Sequence, residues 1–159
     1  MNRHYTAAEY KTACDLLRQY MPLCGLTTDL IVGFPEETEE EFLQTLDFIR
    51  RCGFAQMHIF PYSVRPGTKA AKMRQLTMAV KEERAARAAE VAEQMHAAYL
   101  ASCVSKTFAV LFEQEKDGKF VGHAPNYMEV AAQGCDLHNV VRNVRITAVE
   151  NGMLTGEIV

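Results

Sequence analysis

The run Thr28-Asp29-Leu30-Ile31-Val32-Gly33-Phe34-Pro35-Glu36-Glu37-Thr38 is followed, one helix-length later, by His58-Ile59-Phe60-Pro61-Tyr62-Ser63-Val64-Arg65-Pro66-Gly67-Thr68. Each run reads as an apolar strand that ends in a polar loop bearing Gly and Pro. Between them, Thr38-Glu39-Glu40-Glu41 opens a helix whose Phe42, Leu46 and Ile49 face one side before Gly53 closes it. Strand, helix and strand make a βαβ unit, which constrains the two strands to run parallel. Ligands of parallel sheets bind outside the carboxyl ends of the strands, where these two loops lie. Any chemistry is expected there.

The flanking pattern extends this α/β segment. Thr6-Ala7-Ala8-Glu9 has the form of a capping box, and Tyr10, Ala13, Leu17 and Tyr20 recur at helical spacing until Pro22. Strands are predicted over 26–32 and 57–60. Thr77 caps a long helix reaching about residue 102, with Val80, Ala88, Val91, Met95 and Leu100 along its inner stripe. From Lys106 the period changes to two, predicting five short strands over 107–114, 119–124, 128–132, 140–150 and 153–159. Asp117-Gly118 and Asn151-Gly152 supply tight hairpin turns, because these residues tolerate positive φ. Five such strands suit a small closed or partly open barrel of OB type, with a five-stranded sandwich as the alternative. The expected division is an α/β part, 1–103, and an all-β part, 104–159. Two parallel strands with three helices leave sheet edges open. Either further strands lie outside this sequence, which the motifs favour, or two copies complete each other.

Composition excludes several function classes. The chain has 159 residues, 48% hydrophobic and 23% charged, as an ordinary globular chain does. No apolar run approaches the roughly 20 residues of a membrane helix, and the N-terminus lacks a signal peptide's apolar stretch, so no membrane partner and a cytoplasmic location are expected. Cys14, Cys24, Cys52, Cys103 and Cys135 form no Cys-x-x-Cys pair, which indicates buried free thiols rather than a disulfide framework or a zinc site. The five histidines are too dispersed for a metal site or a catalytic dyad, so no metal is expected. No Ser/His/Asp set, phosphate-cradling Gly loop or paired-carboxylate site is present, and no residue of the chain is expected to be catalytic.

Charge is uneven along the chain. Residues 104–159 hold five Lys or Arg against seven Asp or Glu, so bulk electrostatics does not predict nucleic-acid binding by the barrel. Between Asp47 and Glu82, in contrast, Arg50, Arg51, Arg65, Lys69, Lys72, Arg74 and Lys81 occur without an acidic residue, a local basic surface suited to phosphates. In the barrel, Phe112, Phe120, His123, Asn126, Tyr127 and Arg142 are candidates for stacking on and hydrogen bonding to an unpaired base. Phe112 and Phe120, at alternating strand positions, read more simply as core, and Tyr127 beside Asn126 in a turn is the better surface candidate.

The segment Met1-Asn2-Arg3-His4-Tyr5-Thr6, the strand and loop over 27–38, the stretch 58–73 and the final five-stranded segment resemble, in order, the C-terminal part of the radical S-adenosylmethionine (SAM) tRNA methylthiotransferases. The resemblance covers essentially the whole chain and is closest to the branch that converts N6-threonylcarbamoyladenosine at tRNA position 37 to its 2-methylthio form. It implies an α/β fragment, the last βαβ part of a partial TIM-like barrel, followed by a small five-stranded RNA-binding barrel called TRAM. It also implies SAM and 4Fe-4S clusters in the full-length enzyme, with a cluster-bearing N-terminal region as partner and the tRNA anticodon loop as substrate. This chain has no Cys-x-x-x-Cys-x-x-Cys triplet, so alone it is expected to hold no cluster and to be inactive. The implied cofactor contacts are Gly33, Phe34, Thr38, Phe60 and Tyr62. The RNA-binding candidates are Arg65, Lys69, Lys72, Arg74, Tyr127 and Arg142. One departure stands out: the family has Gly-Phe-Pro-Gly-Glu-Thr where this chain has Gly33-Phe34-Pro35-Glu36-Glu37-Thr38. If the usual glycine takes positive φ, Glu36 costs on the order of 1 kcal/mol of backbone strain. Two readings of different class stay open: the C-terminal portion of a methylthiotransferase, acting on threonylcarbamoyladenosine or on isopentenyladenosine, and a non-catalytic RNA-binding remnant.

Overall fold

A computed structural model describes residues 3–159, so Met1 and Asn2 of the first matched motif lie outside the described residues. The elements in order are α1 (Ala7–Tyr20), β1 (Thr27–Val32), α2 (Glu39–Cys52), β2 (Gln56–Pro61), a 3-10 turn (Ala70–Lys72), α3 (Met78–Cys103), β3 (Thr107–Lys116), β4 (Lys119–His123), β5 (Glu129–Ala132), β6 (Val140–Glu150) and β7 (Met153–Ile158). By internal packing they form two compact units. The first comprises the chain up to Tyr20 with Leu26–His96, and the second comprises Met21–Gly25 with Ala97–Val159.

In the first unit, β1 and β2 pair in parallel from Thr27↔Gln56 to Val32↔Pro61. The connecting helix is fixed at both ends by its sequence. Thr38 accepts from the Glu41 N–H while the Glu41 carboxylate accepts from the Thr38 N–H, closing the capping box, and Gly53 ends the helix at φ 62. Such a cap contributes about 1 kcal/mol. Phe42, Leu46 and Ile49 are buried as their spacing predicts, in one cluster with Cys14, Val32, Cys52, Phe54, Ala88 and Val91. Leu30, Met57 and Ile59 pack against that cluster from the sheet, so the helices cover one sheet face. On α3 the inner stripe departs from expectation. Val80 is only half-buried, whereas Lys81 and Arg84 are 5% and 4% exposed. Lys81 is therefore no part of a basic surface.

The second unit holds a closed five-stranded barrel with strand order β3-β4-β5-β7-β6, which settles the choice against a sandwich. Alternation predicted the strands, and β3 runs two residues past the expected end because Glu115 and Lys116 pair with Phe120 and Lys119 up to the Asp117-Gly118 turn, while a bulge between Phe112 and Gln114 shifts its register against β4. The hairpin residues Asp117 and Gly118 take φ of 52° and 75°, and Asn151 and Gly152 take 51° and 77°, as primed turns require. Closure comes from the parallel pairing of β5 with β7, Val130↔Leu154 to Ala132↔Gly156. Phe108, Val110, Phe112, Val121, Met128, Val130, Val144, Ile146 and Leu154 fill the interior.

Candidate functional site

The loop after β1 is built around two left-handed residues, Gly33 at φ 68 and Glu36 at φ 65. Gly33 is required twice over. A Cβ there would meet the Lys81 Cγ at 2.6 Å, and the positive φ disfavours any other residue. Its N–H donates to Glu37 Oε2 at 2.8 Å, and the same oxygen takes the Arg84 guanidinium at 2.6 Å. Arg84 also donates to the Glu37 carbonyl at 2.9 Å and stacks over the Phe42 ring at 5.3 Å. This buried ion pair holds the loop onto α3. Lys81, whose stem fills the space a Gly33 side chain would occupy, donates to the Tyr62 carbonyl at 3.0 Å and lies over the Tyr62 ring. One turn of α3 thus braces both strand ends.

Glu36 is exposed, and its N–H donates to the Arg74 carbonyl at 3.2 Å. Its positive φ is the condition under which a glycine would be favoured. We expect Glu36→Gly to stabilise the protein by about 1 kcal/mol, since it relieves strain and keeps the main-chain bond. The thermal midpoint should rise by roughly 2–4 °C. An unchanged or lower midpoint in calorimetry would show that the Glu36 side chain compensates its own backbone.

The five cofactor candidates divide by what they touch. Thr38 is occupied in capping α2, and the Gly33 N–H is taken by Glu37. Phe34 is half-buried with its ring edge-on to Tyr62 at 5.2 Å. Tyr62 is buried, and its hydroxyl has no hydrogen-bond partner among the described residues. Phe60 is 50% exposed and pairs in register with Ile31, 36% exposed, on the sheet face away from the helices. Phe60 is the one candidate that offers open surface to a flat ligand.

Arg65, Lys69, Lys72 and Arg74 are each exposed in the segment between β2 and α3, and none has an ion-pair partner among the described residues. Tyr127 and Arg142 belong to the other unit. Tyr127, 81% exposed, holds φ 63 in the turn between β4 and β5, and Arg142 is exposed on β6. Phe112 is fully buried, and Asn126 is buried as well, its side chain bonded to the Tyr99 hydroxyl and the Met128 N–H. These two are framework, not readers of a base. Burial pushes the Tyr99 hydroxyl up to about 12. His123 is engaged with Glu113 at 2.5 Å.

The thiols do not form a ligand set. Cys14, Cys52 and Cys103 are buried, Cys24 is half-buried and Cys135 is exposed, and no group of three His, Cys, Asp or Glu suited to a metal occurs among the described residues. Burial raises the Cys52 thiol to about 11 and shifts Cys103 upward too, which keeps both protonated and inert. No helix among the described residues is long and apolar enough to cross a membrane. The sequence singled out Gly33 but missed Glu37, Lys81 and Arg84, the groups that fix its loop. The available signal was their spacing, since Lys81 and Arg84 continue the stripe of Ala88, Val91 and Met95.

No family model matches the chain. Curated proteins do. A tRNA-2-methylthio-N(6)-dimethylallyladenosine synthase of Chloroflexus aurantiacus is 40% identical over 98% of this chain and 35% of its own length. A threonylcarbamoyladenosine tRNA methylthiotransferase of Bacillus subtilis is 37% identical over 86% of this chain and 32% of its own length. The synthase of Maricaulis maris is 39% identical over 99% of this chain and 36% of its own length. The chain thus spans about a third of the length of the relatives it matches. With a parallel βαβ unit whose strand-end loops are braced by α3, and a closed barrel after it, the chain belongs to the tRNA methylthiotransferase family, as the C-terminal part of such a protein.

Proposed function

We propose that this chain is the C-terminal portion of a radical-SAM methylthiotransferase that adds a 2-methylthio group to N6-threonylcarbamoyladenosine at tRNA position 37. Residues 1–103 form the end of its α/β barrel and residues 104–159 its RNA-binding TRAM barrel. The observation that carries the reading is the pair of strand-end loops, matched by relatives whose names all specify thiomethylation of a modified tRNA adenosine. For the substrate, Phe60-Pro61-Tyr62-Ser63 with Arg65 resembles the threonylcarbamoyl branch more than the protein-modifying branch of the family, which favours a tRNA nucleoside. The dimethylallyladenosine reading rests on the names of the Chloroflexus and Maricaulis relatives.

The residues present fit one side of a SAM site and do not fit a cluster. Phe60 and Ile31 offer the apolar surface an adenine ring takes, Phe34 and the buried Tyr62 pack edge-on to each other in the strand-end loops, and Gly33 and Thr38 shape the first of those loops. When bound, SAM supplies the sulfonium C–S bond from which radical chemistry starts. The chain's own part is binding and orientation: Lys81 holds the Tyr62 carbonyl, and with it the backbone that follows Phe60, in place. The thiolates for a cluster come from outside this sequence. Arg65, Lys69, Lys72 and Arg74 contact tRNA phosphates, and Tyr127 and Arg142 meet the RNA from the barrel. No tRNA contact requires bulk positive charge on the barrel.

Nucleoside analysis of tRNA from a strain deleted for the gene tests this reading. The 2-methylthio-threonylcarbamoyl nucleoside should vanish and its unthiolated precursor accumulate. Loss of the dimethylallyl counterpart instead would transfer the assignment to the other branch, and loss of neither would favour an RNA-binding protein without this chemistry.

A further inference from the structure

The sheet of the first unit has a face that no helix covers. Its residues are set by the register: Thr27 beside Gln56, Asp29 beside His58, and Ile31 beside Phe60, all six exposed. The opposite face is accounted for, since Leu30, Val32, Met57 and Ile59 pack on the core and the Thr28 hydroxyl is bonded to Tyr10. On the open face, Ile31 and Phe60 make an apolar row at the carboxyl end. One row inward, about 7 Å along the strands, lies Asp29 with His58.

Asp29 is out of place by local preference. Aspartate is depleted in strands, and this one sits mid-strand between Thr28 and Leu30. Neither Asp29, His58 nor Gln56 has a side-chain hydrogen bond or ion pair among the described residues, so packing explains none of them. Neighbours in register on one face place their side chains within reach of a single ligand group. Together they offer a carboxylate acceptor, an imidazole N–H that is a donor in either tautomer, and an amide that does both.

We propose that Asp29 and His58 read the polar N6 substituent of the substrate nucleoside. This rests on the reading that the substrate is threonylcarbamoyladenosine. That substituent carries a carboxylate, a hydroxyl and ureido N–H groups. Its carboxylate and hydroxyl complement the His58 N–H and Gln56, and its ureido N–H complements Asp29. A dimethylallyl group offers no polar atom, and seating it here would bury Asp29 unpaired, which sites of this kind reject strongly. The apolar row beside Phe60 stays available to the cofactor's base, so the two adenosines do not compete for one surface.

The test is a binding titration of the intact protein, purified from its own host, with anticodon stem-loops carrying threonylcarbamoyladenosine, dimethylallyladenosine or unmodified adenosine. The wild type should bind the threonylcarbamoyl stem-loop at least about tenfold more tightly than the unmodified one. His58→Leu and Asp29→Leu should remove that preference and leave affinity for the unmodified stem-loop unchanged, while His58→Gln, which keeps a donor, restores most of it. A parallel weakening on every stem-loop, or a preference unchanged in both variants, overturns the proposal. A stem-loop whose threonine carboxylate is replaced by a carboxamide provides a measurement on wild-type protein alone. Binding as tight as the acid overturns the role of His58. Tighter binding of the dimethylallyl stem-loop by wild type would instead remove the substrate reading itself, and with it this inference.

Discussion

Gly122→Ala should abolish or nearly abolish folding of the barrel. Gly122 of β4 pairs with Phe112 at the β3 bulge, and a Cβ there would run into the Leu111 carbonyl and stand 2.6 Å from the Phe112 Cα. Both neighbours are backbone of the facing strand, so relief requires the ladder itself to part. Overpacking in a core that can adjust costs about 1–3 kcal/mol, and the lack of any yielding side chain places this case above that range, at about 4 kcal/mol or more. Loss of that size consumes much of a small domain's stability. Urea unfolding followed by circular dichroism gives the measure. Gly152→Ala is the control, because nothing lies within 4 Å of a Cβ there and only its φ of 77° is strained, at about 1 kcal/mol. Equal midpoints for the two variants would show that the β3–β4 contact is looser than the register implies.

Arg84→Met should cost about 3 kcal/mol, and the loss should concentrate at the strand-end loop. Arg84 and Glu37 meet at 2.6 Å with side chains 5% and 13% exposed, so removing the guanidinium leaves a carboxylate largely withdrawn from water. Breaking one side of such a pair is more damaging than replacing both. The double variant Arg84→Met with Glu37→Met should therefore be more stable than Arg84→Met alone. It still loses the Gly33 N–H acceptor, so some deficit against wild type persists. Hydrogen exchange at Gly33 localises the effect. Slow exchange there in Arg84→Met would mean that the ion pair does not secure the loop.

Most of the fold is legible because it is written in local rules. The Thr38 and Glu41 capping box, the Gly53 stop, the alternation over β3 to β7 and the two primed turns each have a short-range signature. The features that escape depend on distant partners. Periodicity assigns charged residues to water, which puts Lys81 on a basic surface and gives Arg84 no role, although each finds its partner, Tyr62 or Glu37, in a loop far back in the chain. The grouping of Met21–Gly25 with the barrel unit has no local signature either. At the site, Glu36 is visible in the sequence as a bulkier residue where the resemblance implies glycine, and it takes a φ of 65°. The Asp29–His58 row was invisible, because adjacency across strands is a matter of register and register is set by the sheet.

The parallel pairing of β5 with β7 also sets a timetable. β3 and β4 can zip as a hairpin once their turn has left the ribosome, but β5 has one side occupied by β4 and must wait for β7, with β6 made in between. During synthesis the β5 edge, carrying Val130, Ala131 and Ala132, therefore stands open while more than a dozen further residues are added. The interval is governed by translation speed over β6 and β7. Slowing elongation there lengthens the time in which a nascent neighbour can take the place of the chain's own last strand.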